Sequence, residues 1–275
     1  MSTPHILLLG GHGKIAQLMT PLFLARSWTV TSMIRTAEQT STIEGLGKSQ
    51  PGKLNVLVSS IEEVKTNEDA KKIIDSVKPT WIVWSAGAGG KGGPSRTDAV
   101  DHIAAKRFIH AAFYTPSITK FLLISYIGSR RNKPSWWTED AWKASLHVNE
   151  NVLAAYHVAK LKADEYFQSA FEAAKAGKRP GGAEFAAIDL RPGSLTDEPA
   201  GKVQLGKTEG SGKSSRARVA EITAALLESG YKGGWVDMLD GDETVSDAVQ
   251  RVTKANEDAI EGEDVEAMKP LFEKE

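Results

Sequence analysis

The amino-acid sequence predicts an α/β protein whose core is a doubly wound parallel sheet. Residues 5–9 form a short apolar run that ends in a glycine cluster and continues as a helix-like pattern. Further short apolar runs alternate with amphipathic segments, which is typical of parallel strands joined by crossover helices. With 275 residues and 41% hydrophobic content, the chain can bury one substantial core. We therefore predict a single domain over residues 1–255.

The composition excludes several classes of function. The net charge of -1 and the isoelectric point of about 6.6 give no overall electrostatic signal for nucleic acid or a membrane. The chain has no cysteine, which excludes disulfides, thiolate metal sites and cysteine nucleophiles. It also lacks a secretory signal pattern and an apolar run of the roughly 18 residues that a membrane span needs. We expect a cytoplasmic monomer or homodimer that acts on a small molecule, without metal, nucleic-acid or membrane partners.

The glycine cluster matches a dinucleotide-binding fingerprint. Residues 10–16 read GGHGKIA and fit two frames, G-x-G-x-x-A from Gly11 and G-x-x-G-x-x-A from Gly10. Glycines permit a tight turn and a close approach of the backbone to a pyrophosphate, which would lie at the helix N-terminus. A plain structural turn is the alternative. The candidate cofactor contacts here are Gly10, Gly11, Gly13, Lys14 and Ile15.

The end of the second predicted strand indicates which dinucleotide is bound. Residues 28–34 form a run rich in β-branched side chains, and Arg35 follows about 20 residues after the glycine turn. An acidic residue here would bond the ribose 2′-hydroxyl of NAD, whereas a basic residue suits the 2′-phosphate of NADP. Arg35 therefore favours NADP, with NAD as the less favoured cofactor. The alternative is a solvated arginine at a strand end.

Hydrophobic periodicity places the remaining elements. We predict further strands at 54–58, 80–84, 120–124, 184–190 and 235–239, and helices near 69–77, 98–113, 149–176, 218–228 and 245–251. The substrate-binding part is expected mainly at 193–235, in which residues 201–218 are interpreted as a loop. The charged segment 256–275 is interpreted as a loosely held tail. Ala86 and Gly87, which follow the fourth strand, are small enough for a cofactor ribose to lie against the backbone.

Residues 129–137 combine basic and aromatic side chains directly after the fifth strand. The segment carries two arginines, a lysine and two adjacent tryptophans. One interpretation is a substrate entrance or a site for a polyanion. The interpretation that we favour is a solvated loop whose tryptophans fold back on the body of the protein.

Tyr156 and Lys160 form the candidate catalytic pair. They lie four residues apart on a predicted helix, so both side chains project from one face. A lysine ammonium beside a phenol would lower the tyrosine pKa from about 10 toward the working pH. Ser125 ends the fifth strand, at the edge where ligands gather in a parallel sheet. The alternative is structural, with Tyr156 in the core and Lys160 snorkelling past it.

Together these motifs resemble the short-chain dehydrogenase/reductase superfamily, and especially its atypical and extended branch of NAD(P)-binding, NmrA-like and flavin-reductase-like proteins. The resemblance covers about residues 5–250 and implies a Rossmann-type fold. The motifs that carry it are the glycine cluster, Arg35, Ser85-Ala86-Gly87, Ser125, Tyr156-x-x-x-Lys160, Leu190-Arg191-Pro192-Gly193 and the Leu195 to Pro199 segment.

The resemblance also implies roles for the site residues. Tyr156 would act as general acid for a carbonyl oxygen during hydride delivery, and Lys160 would hold the nicotinamide ribose. Ser125 would hydrogen-bond the substrate oxygen, and the backbone from Pro192 onward would touch the nicotinamide end. The sequence departs from the family at residues 59–61, where Ser-Ser-Ile replaces the Asp-apolar pair that cradles adenine.

These observations favour an NADP-dependent oxidoreductase that acts on a small carbonyl, quinone or flavin-type substrate. Two alternatives stay open. One is an NmrA-like regulator that senses NADP without turnover, and the other is an NAD(P)-dependent epimerase or isomerase. Removal of the Tyr156 hydroxyl separates the oxidoreductase from the NADP-sensing regulator, because a sensor would not need this hydroxyl.

Overall fold

The computed structural model describes residues 3–90 and 92–273. Its main sheet contains β1 (His5–Leu9), β2 (Thr29–Ile34), β3 (Lys53–Val58), β4 (Trp81–Trp84), β5 (Lys120–Ile124), β6 (Ala186–Pro192), β8 (Lys202–Gly206) and β10 (Gly233–Gly241). Their spatial order is β3-β2-β1-β4-β5-β6-β10-β8, and every pairing is parallel except the antiparallel β10–β8 pair. Strands β7 (Ser194–Thr196) and β9 (Lys213–Ser215) pair with each other. The predicted Rossmann-type doubly wound sheet is confirmed.

Helices cover both faces of the sheet. They are α1 (Lys14–Ala25), α2 (Thr40–Leu46), α3 (Asn67–Val77), α4 (Gly93–Thr97), α5 (Ala105–Phe113), α6 (Glu139–His147), α7 (Ala154–Lys175), α8 (Arg216–Glu228), α9 (Val245–Ala255), α10 (Val265–Met268) and α11 (Pro270–Glu273). Two segments wind more widely as π-helix, Asp98–Ala104 and Val148–Val152, and short 3-10 turns lie at Ala37–Gln39, Ile61–Glu63 and Pro180–Gly182.

Alternation along the strands divides the core into two apolar layers. In β1, Ile6 and Leu8 pack with α1, α8 and α9 on one face, while Leu7 and Leu9 pack with α3, α5 and α7 on the other. All four side chains are inaccessible to solvent, and burial of each contributes about 1.5–3 kcal/mol. A strand that is apolar on both faces is what a parallel sheet covered by helices requires.

The register of the strands brings the carboxyl ends of β1, β2 and β4 level with one another. Leu9 lies opposite Met33 on one side and opposite Trp84 on the other. The segments that follow these three strands therefore meet at one edge of the sheet, where open α/β sheets bind their ligands.

The predicted continuous helix 149–176 is wrong at its start. The chain leaves helical geometry at Leu153 (φ -120°, ψ 27°), and α7 begins at Ala154 after the unpredicted helix α6. The buried side chain of Asn149 donates to the Gly128 carbonyl at 2.8 Å, which ties the chain to the segment after β5. Periodicity on its own does not show this long-range hydrogen bond.

Two segments that were interpreted as irregular are ordered. Residues 201–218 contain β8 and β9, and Val203 and Leu205 alternate into the core, so the loop interpretation is wrong. The loosely held tail is also wrong for residues 257–273. Met268 and Phe272 are buried, and the Phe272 ring lies 4.5 Å from the ring of Phe113. The charged residues around these two apolar side chains concealed the helical spacing that buries them.

Candidate functional site

A cleft of about 650 Å³ opens at the carboxyl ends of β1, β2, β3 and β4. Its walls come from the segments that directly follow these strands and from the start of the helical region after β4. The lining residues are Gly10, His12, Gly13, Lys14, Met33, Ile34, Arg35, Gln39, Ser59, Ser60, Ile61, Glu62, Ser85, Ala86, Gly87, Ala88, Gly89, Arg96 and Val100.

The glycine turn forms the floor of this cleft. Gly10 has φ +82°, and a Cβ there would lie 2.7 Å from Ala86 Cα, so only glycine fits. Gly13 precedes the first residue of α1 and donates its amide to the Gly10 carbonyl at 2.8 Å. Gly11 instead packs on β2, where a Cβ would meet Ser32 Oγ at 1.9 Å. The G-x-x-G-x-x-A frame therefore describes the cleft, and neither Gly11 nor the buried Ile15 lines it.

Lys14, the first residue of α1, lines the cleft and forms a salt bridge with Asp197, which does not line it. Its Nζ is 2.5 Å from Asp197 Oδ2, and the other oxygen of Asp197 accepts from Arg216 at 2.8 Å. Hydrogen bonding to Lys14, followed by the charge of Arg216, lowers the pKa of Asp197. All three side chains are partly or largely exposed, which makes the bridge weak and exchangeable.

Arg35 lines the opposite end of the cleft, as its position after β2 predicts. Its Nη1 lies 3.5 Å from Glu62 Oε1, and the same oxygen accepts from Arg96 Nη2 at 2.9 Å and Nε at 3.0 Å. The hydrogen bond from Arg96 and the weaker influence of Arg35 lower the pKa of Glu62. Sequence reasoning missed Glu62 and Arg96, because no motif marks them.

The loop after β4 is tied to a buried carboxylate. The Ala88 amide donates to Asp101 Oδ2 at 2.9 Å, and a Cβ on Gly87 would lie 3.0 Å from Asp101 Oδ1. Burial raises the pKa of Asp101, while the nearby charge of Lys160 opposes that rise. Asp101 therefore connects the cleft wall at Gly87 to the helix that carries the predicted catalytic pair.

Tyr156 and Lys160 lie on α7 beside the end of β5. Lys160 is buried and donates its ammonium to the Ile124 carbonyl at 2.9 Å. Tyr156 is half-buried, and its ring centroid lies 5.1 Å from that of Tyr126. Burial, followed by the negative charge of Asp101, raises the pKa of Tyr156 well above its usual value. The predicted lowering of this pKa by Lys160 is therefore wrong in this arrangement.

Ser125 is buried, and its hydroxyl is engaged within the protein. It donates to Asp164 Oδ2 at 2.6 Å, so this geometry does not support the expected hydrogen bond to a substrate oxygen. The next residue, Tyr126, donates to Asn149 Oδ1 at 2.9 Å and lies 2.8 Å from His157 Nδ1. Because a phenol has one hydrogen, His157 must donate to Tyr126 from Nδ1. Periodicity did not bring out these three partners.

The Arg191 of the Arg-Pro-Gly motif lies beneath the site in a buried ionic cluster. Its guanidinium donates to Asp237 Oδ1 at 3.0 Å, to Asp164 Oδ2 at 3.2 Å and to the Ser129 carbonyl at 2.7 Å. Burial raises the pKa of Asp164, and burial with the neighbouring Asp164 charge raises that of Asp189. Arg191 therefore joins three segments: α7 through Asp164, β10 through Asp237, and the segment after β5 through the Ser129 carbonyl.

Arg130 extends this cluster and corrects the interpretation of residues 129–137. It is buried, donates to Asp237 Oδ2 and to the Ala259 carbonyl, both at 2.7 Å, and lies over the rings of Trp137 and Trp235. A solvated loop is therefore wrong for this part of the segment, because the Asp237 carboxylate draws the arginine inside. Arg130 does not line the cleft, which gives no support to a polyanion site there.

Pro192 ends β6 away from the lining of the cleft. Its carbonyl accepts from the Ile127 amide at 3.0 Å, and the following Gly193 lies so close to Gly212 that a Cβ would meet the Gly212 oxygen at 2.5 Å. The predicted backbone contact with a nicotinamide stays a prediction. Within residues 3–90 and 92–273, no cluster of three His, Asp or Glu side chains could hold a metal, and no helix is long and apolar enough to cross a membrane.

The cleft has the features that a dinucleotide needs: a glycine floor, a helix N-terminus and basic side chains at both ends. The family model described as NAD(P)H-binding matches residues 10–230. The chain belongs to this NAD(P)H-binding family. The NAD(P)H-binding family that the sequence resemblance implies is confirmed.

Two curated proteins are similar to this NAD(P)H-binding chain over most of its length. A UPF0659 protein of Schizosaccharomyces pombe is 29% identical over 249 residues, which cover 87% of this chain and 91% of that protein. A Bacillus subtilis protein named an uncharacterized sugar epimerase is 28% identical over 250 residues, which cover 90% and 99% of the respective chains.

Solved structures share the fold at lower identity. A Bacillus halodurans protein, provisionally described as an NAD-dependent epimerase/dehydratase, superposes with a TM-score of 0.67 at 22% identity over 90% of this NAD(P)H-binding chain and 99% of its own. The anaerobilin reductase ChuY of Escherichia coli O157:H7 gives a TM-score of 0.58 at 20% identity, over 86% and 98% of the two chains.

Proposed function

We propose that this protein is an NADP-dependent oxidoreductase that reduces a small carbonyl, quinone or flavin-type substrate, with Tyr156 as the proton donor. One observation carries the proposal: Tyr156 and Lys160 lie beside the carboxyl end of β5, the strand next to β4, although neither side chain lines the cleft itself. Asp101 touches the wall of the cleft through Ala88 and acts electrostatically on both residues.

The cleft would hold the adenosine and phosphate parts of the cofactor. Phosphate at the N-terminus of α1 gains the unpaired amides and positive dipole of the helix, with Lys14 adding charge. Arg35 would receive the 2′-phosphate at the end of β2. When bound, NADPH supplies the hydride, and the protein supplies binding, orientation and the proton.

The protonation state of Tyr156 suits a reduction. Like any phenol with a pKa at or above about 10, Tyr156 keeps its proton at neutral pH, so the proton is available for an oxygen that gains negative charge. Lys160, held on the Ile124 carbonyl, is placed to support a ribose hydroxyl and to limit the rise in the tyrosine pKa once a ligand excludes water.

A second candidate is an epimerase that oxidises and reduces the same substrate carbon. The Bacillus subtilis relative carries the name sugar epimerase, and the same pair of residues would serve proton transfer in both directions. An epimerase would return its cofactor to the starting redox state, whereas a reductase consumes NADPH.

The test is Tyr156→Phe, with the exposed Tyr114→Phe as matched control. Wild-type and variant proteins are titrated with NADPH and NADH by tryptophan fluorescence, and NADPH consumption is followed with aldehydes, quinones and flavins. We expect Tyr156→Phe to lower turnover by about 10²–10⁴-fold, because a positioned acid contributes about that much, with NADPH affinity unchanged.

Other results would point elsewhere. Unchanged turnover in Tyr156→Phe would exclude the proton-donor role. Tight binding of NADPH without turnover on any substrate would favour the regulatory alternative, and epimerised product without net NADPH consumption would favour the epimerase.

A further inference from the structure

Two arginines and one carboxylate meet at the Arg35 end of the cleft. Glu62 Oε1 is 2.9 Å from Arg96 Nη2 and 3.5 Å from Arg35 Nη1. Glu62 lies in the short turn after β3, Arg96 lies in α4 after β4, and both side chains line the cleft. The exposed fraction of the side chain is 54% for Arg35, 37% for Glu62 and 23% for Arg96. One anionic oxygen is thus bracketed by two cations inside the cofactor cleft.

This anionic position coincides with the place where NADP differs from NAD. The residue after β2 meets the ribose 2′-substituent in doubly wound sheets, and Arg35 occupies that position here. β2 and β3 are adjacent, with Ile34 opposite Val58, so the turn that follows β3 faces the residue that follows β2. A 2′-phosphate that pairs with Arg35 would therefore come to lie beside the Glu62 carboxylate.

We propose that Glu62 determines cofactor specificity. Its carboxylate lies between Arg35 and Arg96, in the position that the 2′-phosphate of NADP takes on binding. The inference rests on the proposed dinucleotide site. NADP must displace Glu62 from the two guanidinium groups and bring a doubly charged phosphate close to it. NAD carries no 2′-phosphate and leaves the Glu62 ion pairs in place. Glu62 therefore reduces the preference for NADP over NAD that Arg35 and Arg96 create.

The other end of the cleft supplies an internal comparison. Asp197 pairs with Lys14 at the N-terminus of α1, where the pyrophosphate common to both dinucleotides would lie. Neutralisation of Asp197 should therefore help NADPH and NADH equally. Neutralisation of Glu62 should help only the ligand with a 2′-phosphate.

The experiment measures dissociation constants of NADPH, NADH, 2′-AMP and 5′-AMP for the wild type, Glu62→Gln and Asp197→Asn. Glutamine keeps the size of glutamate and can still accept a hydrogen bond from Arg96, so packing is preserved. We expect Glu62→Gln to bind NADPH and 2′-AMP about tenfold more tightly, which corresponds to about 1.4 kcal/mol, and to bind NADH within about twofold of the wild type. High salt should shrink the difference, because the pairs are partly exposed.

Three results would overturn the inference. Weaker NADPH binding in Glu62→Gln would mean that Glu62 orients the arginines for the phosphate. An equal gain for NADH and NADPH would mean that the carboxylate acts on the whole cleft, and unchanged affinities for both dinucleotides would remove Glu62 from specificity. Dinucleotide binding without turnover on any substrate would contradict the proposed oxidoreductase function. The ratio of the NADPH and NADH dissociation constants would still decide the role of Glu62. If none of the four ligands binds, both proposals are wrong.

Discussion

The cofactor cleft and the buried ionic cluster of Arg130, Arg191 and Asp237 use charge in opposite ways. At the cleft, Lys14 and Arg35 lie near the surface and pair with Asp197 and Glu62 through contacts that solvent reaches. Beneath Tyr156, the side chains of Arg130, Arg191 and Asp237 have no exposed surface. The first arrangement can exchange an internal carboxylate for a phosphate. The second cannot exchange partners without leaving a buried charge unpaired, so it fixes geometry.

This difference separates recognition from support. Exposed pairs contribute little to stability because water screens them, but they respond to a charged ligand. Buried pairs contribute little net stability against an apolar core of the same shape, yet the loss of one partner is severe. The motif residue Arg191 belongs to the supporting set, whereas the resemblance assigns the nicotinamide contact to the backbone that follows it, from Pro192 onward.

The largest expected effect comes from breaking the buried cluster. Asp237→Asn removes the carboxylate that both Arg130 and Arg191 share, and we expect the free energy of unfolding to fall by about 3–5 kcal/mol. Urea unfolding followed by circular dichroism measures the change. Asp197→Asn, which alters a carboxylate in an exposed bridge, is the control and should unfold like the wild type. Equal stabilities for the two variants would show that the two regions do not differ in this way.

A smaller effect is expected at Ser125, which lies between the two regions. Ser125→Ala removes the hydrogen bond to Asp164, and a bond to a charged group contributes about 1.5–3 kcal/mol. We expect that loss in unfolding free energy, together with a smaller loss of turnover than in Tyr156→Phe. Abolished turnover at wild-type stability would instead support the hydrogen bond from Ser125 to a substrate oxygen that the family resemblance implies.

The smallest effect concerns pH. Burial lowers the pKa of His157 below its usual value of 6.5. As pH falls below 6.5, the unfolded chain takes up this proton before the native state does, so native stability decreases between pH 6.5 and the lowered pKa. His157→Gln should lose less stability than the wild type between pH 7.5 and pH 5, measured by urea unfolding. His5 and His102, whose pKa values are also lowered, are present in both proteins and cancel. A parallel pH dependence in both proteins would contradict the assignment.

The cleft end was the more predictable part of the sequence. Gly10, Gly13 and Arg35 follow strands that are close to one another along the chain, so local spacing and the parallel-sheet rule place them together. The positive φ of Gly10 and its contact with Ala86 are what a glycine in such a turn indicates. Glu62 and Arg96 could not be predicted, because their contact joins the turn after β3 to α4, 34 residues further along the chain.

The catalytic end was predicted only in outline. The i,i+4 spacing correctly put Tyr156 and Lys160 on one helix, but the pKa of Tyr156 is raised by burial and then by the charge of Asp101, which lies on a different helical segment. The same limitation applies to Arg130, whose burial depends on Asp237, a partner 107 residues away along the chain. Hydrophobic periodicity reports which face is buried and contains no information on such long-range ionic partners.

The stacking of Arg191 on Trp235 gives the protein a native optical reporter. The guanidinium carbon lies 3.8 Å from the centre of the buried indole ring. Excitation moves electron density within an indole, so its emission wavelength responds to a fixed charge held at that distance. The emission wavelength of Trp235 should therefore change if Arg191 moves away from the indole ring. Because the chain has seven tryptophans, the signal from Trp235 is the part of the emission that Trp235→Phe removes, and that part would report on the interior of the protein while substrates are supplied at its surface.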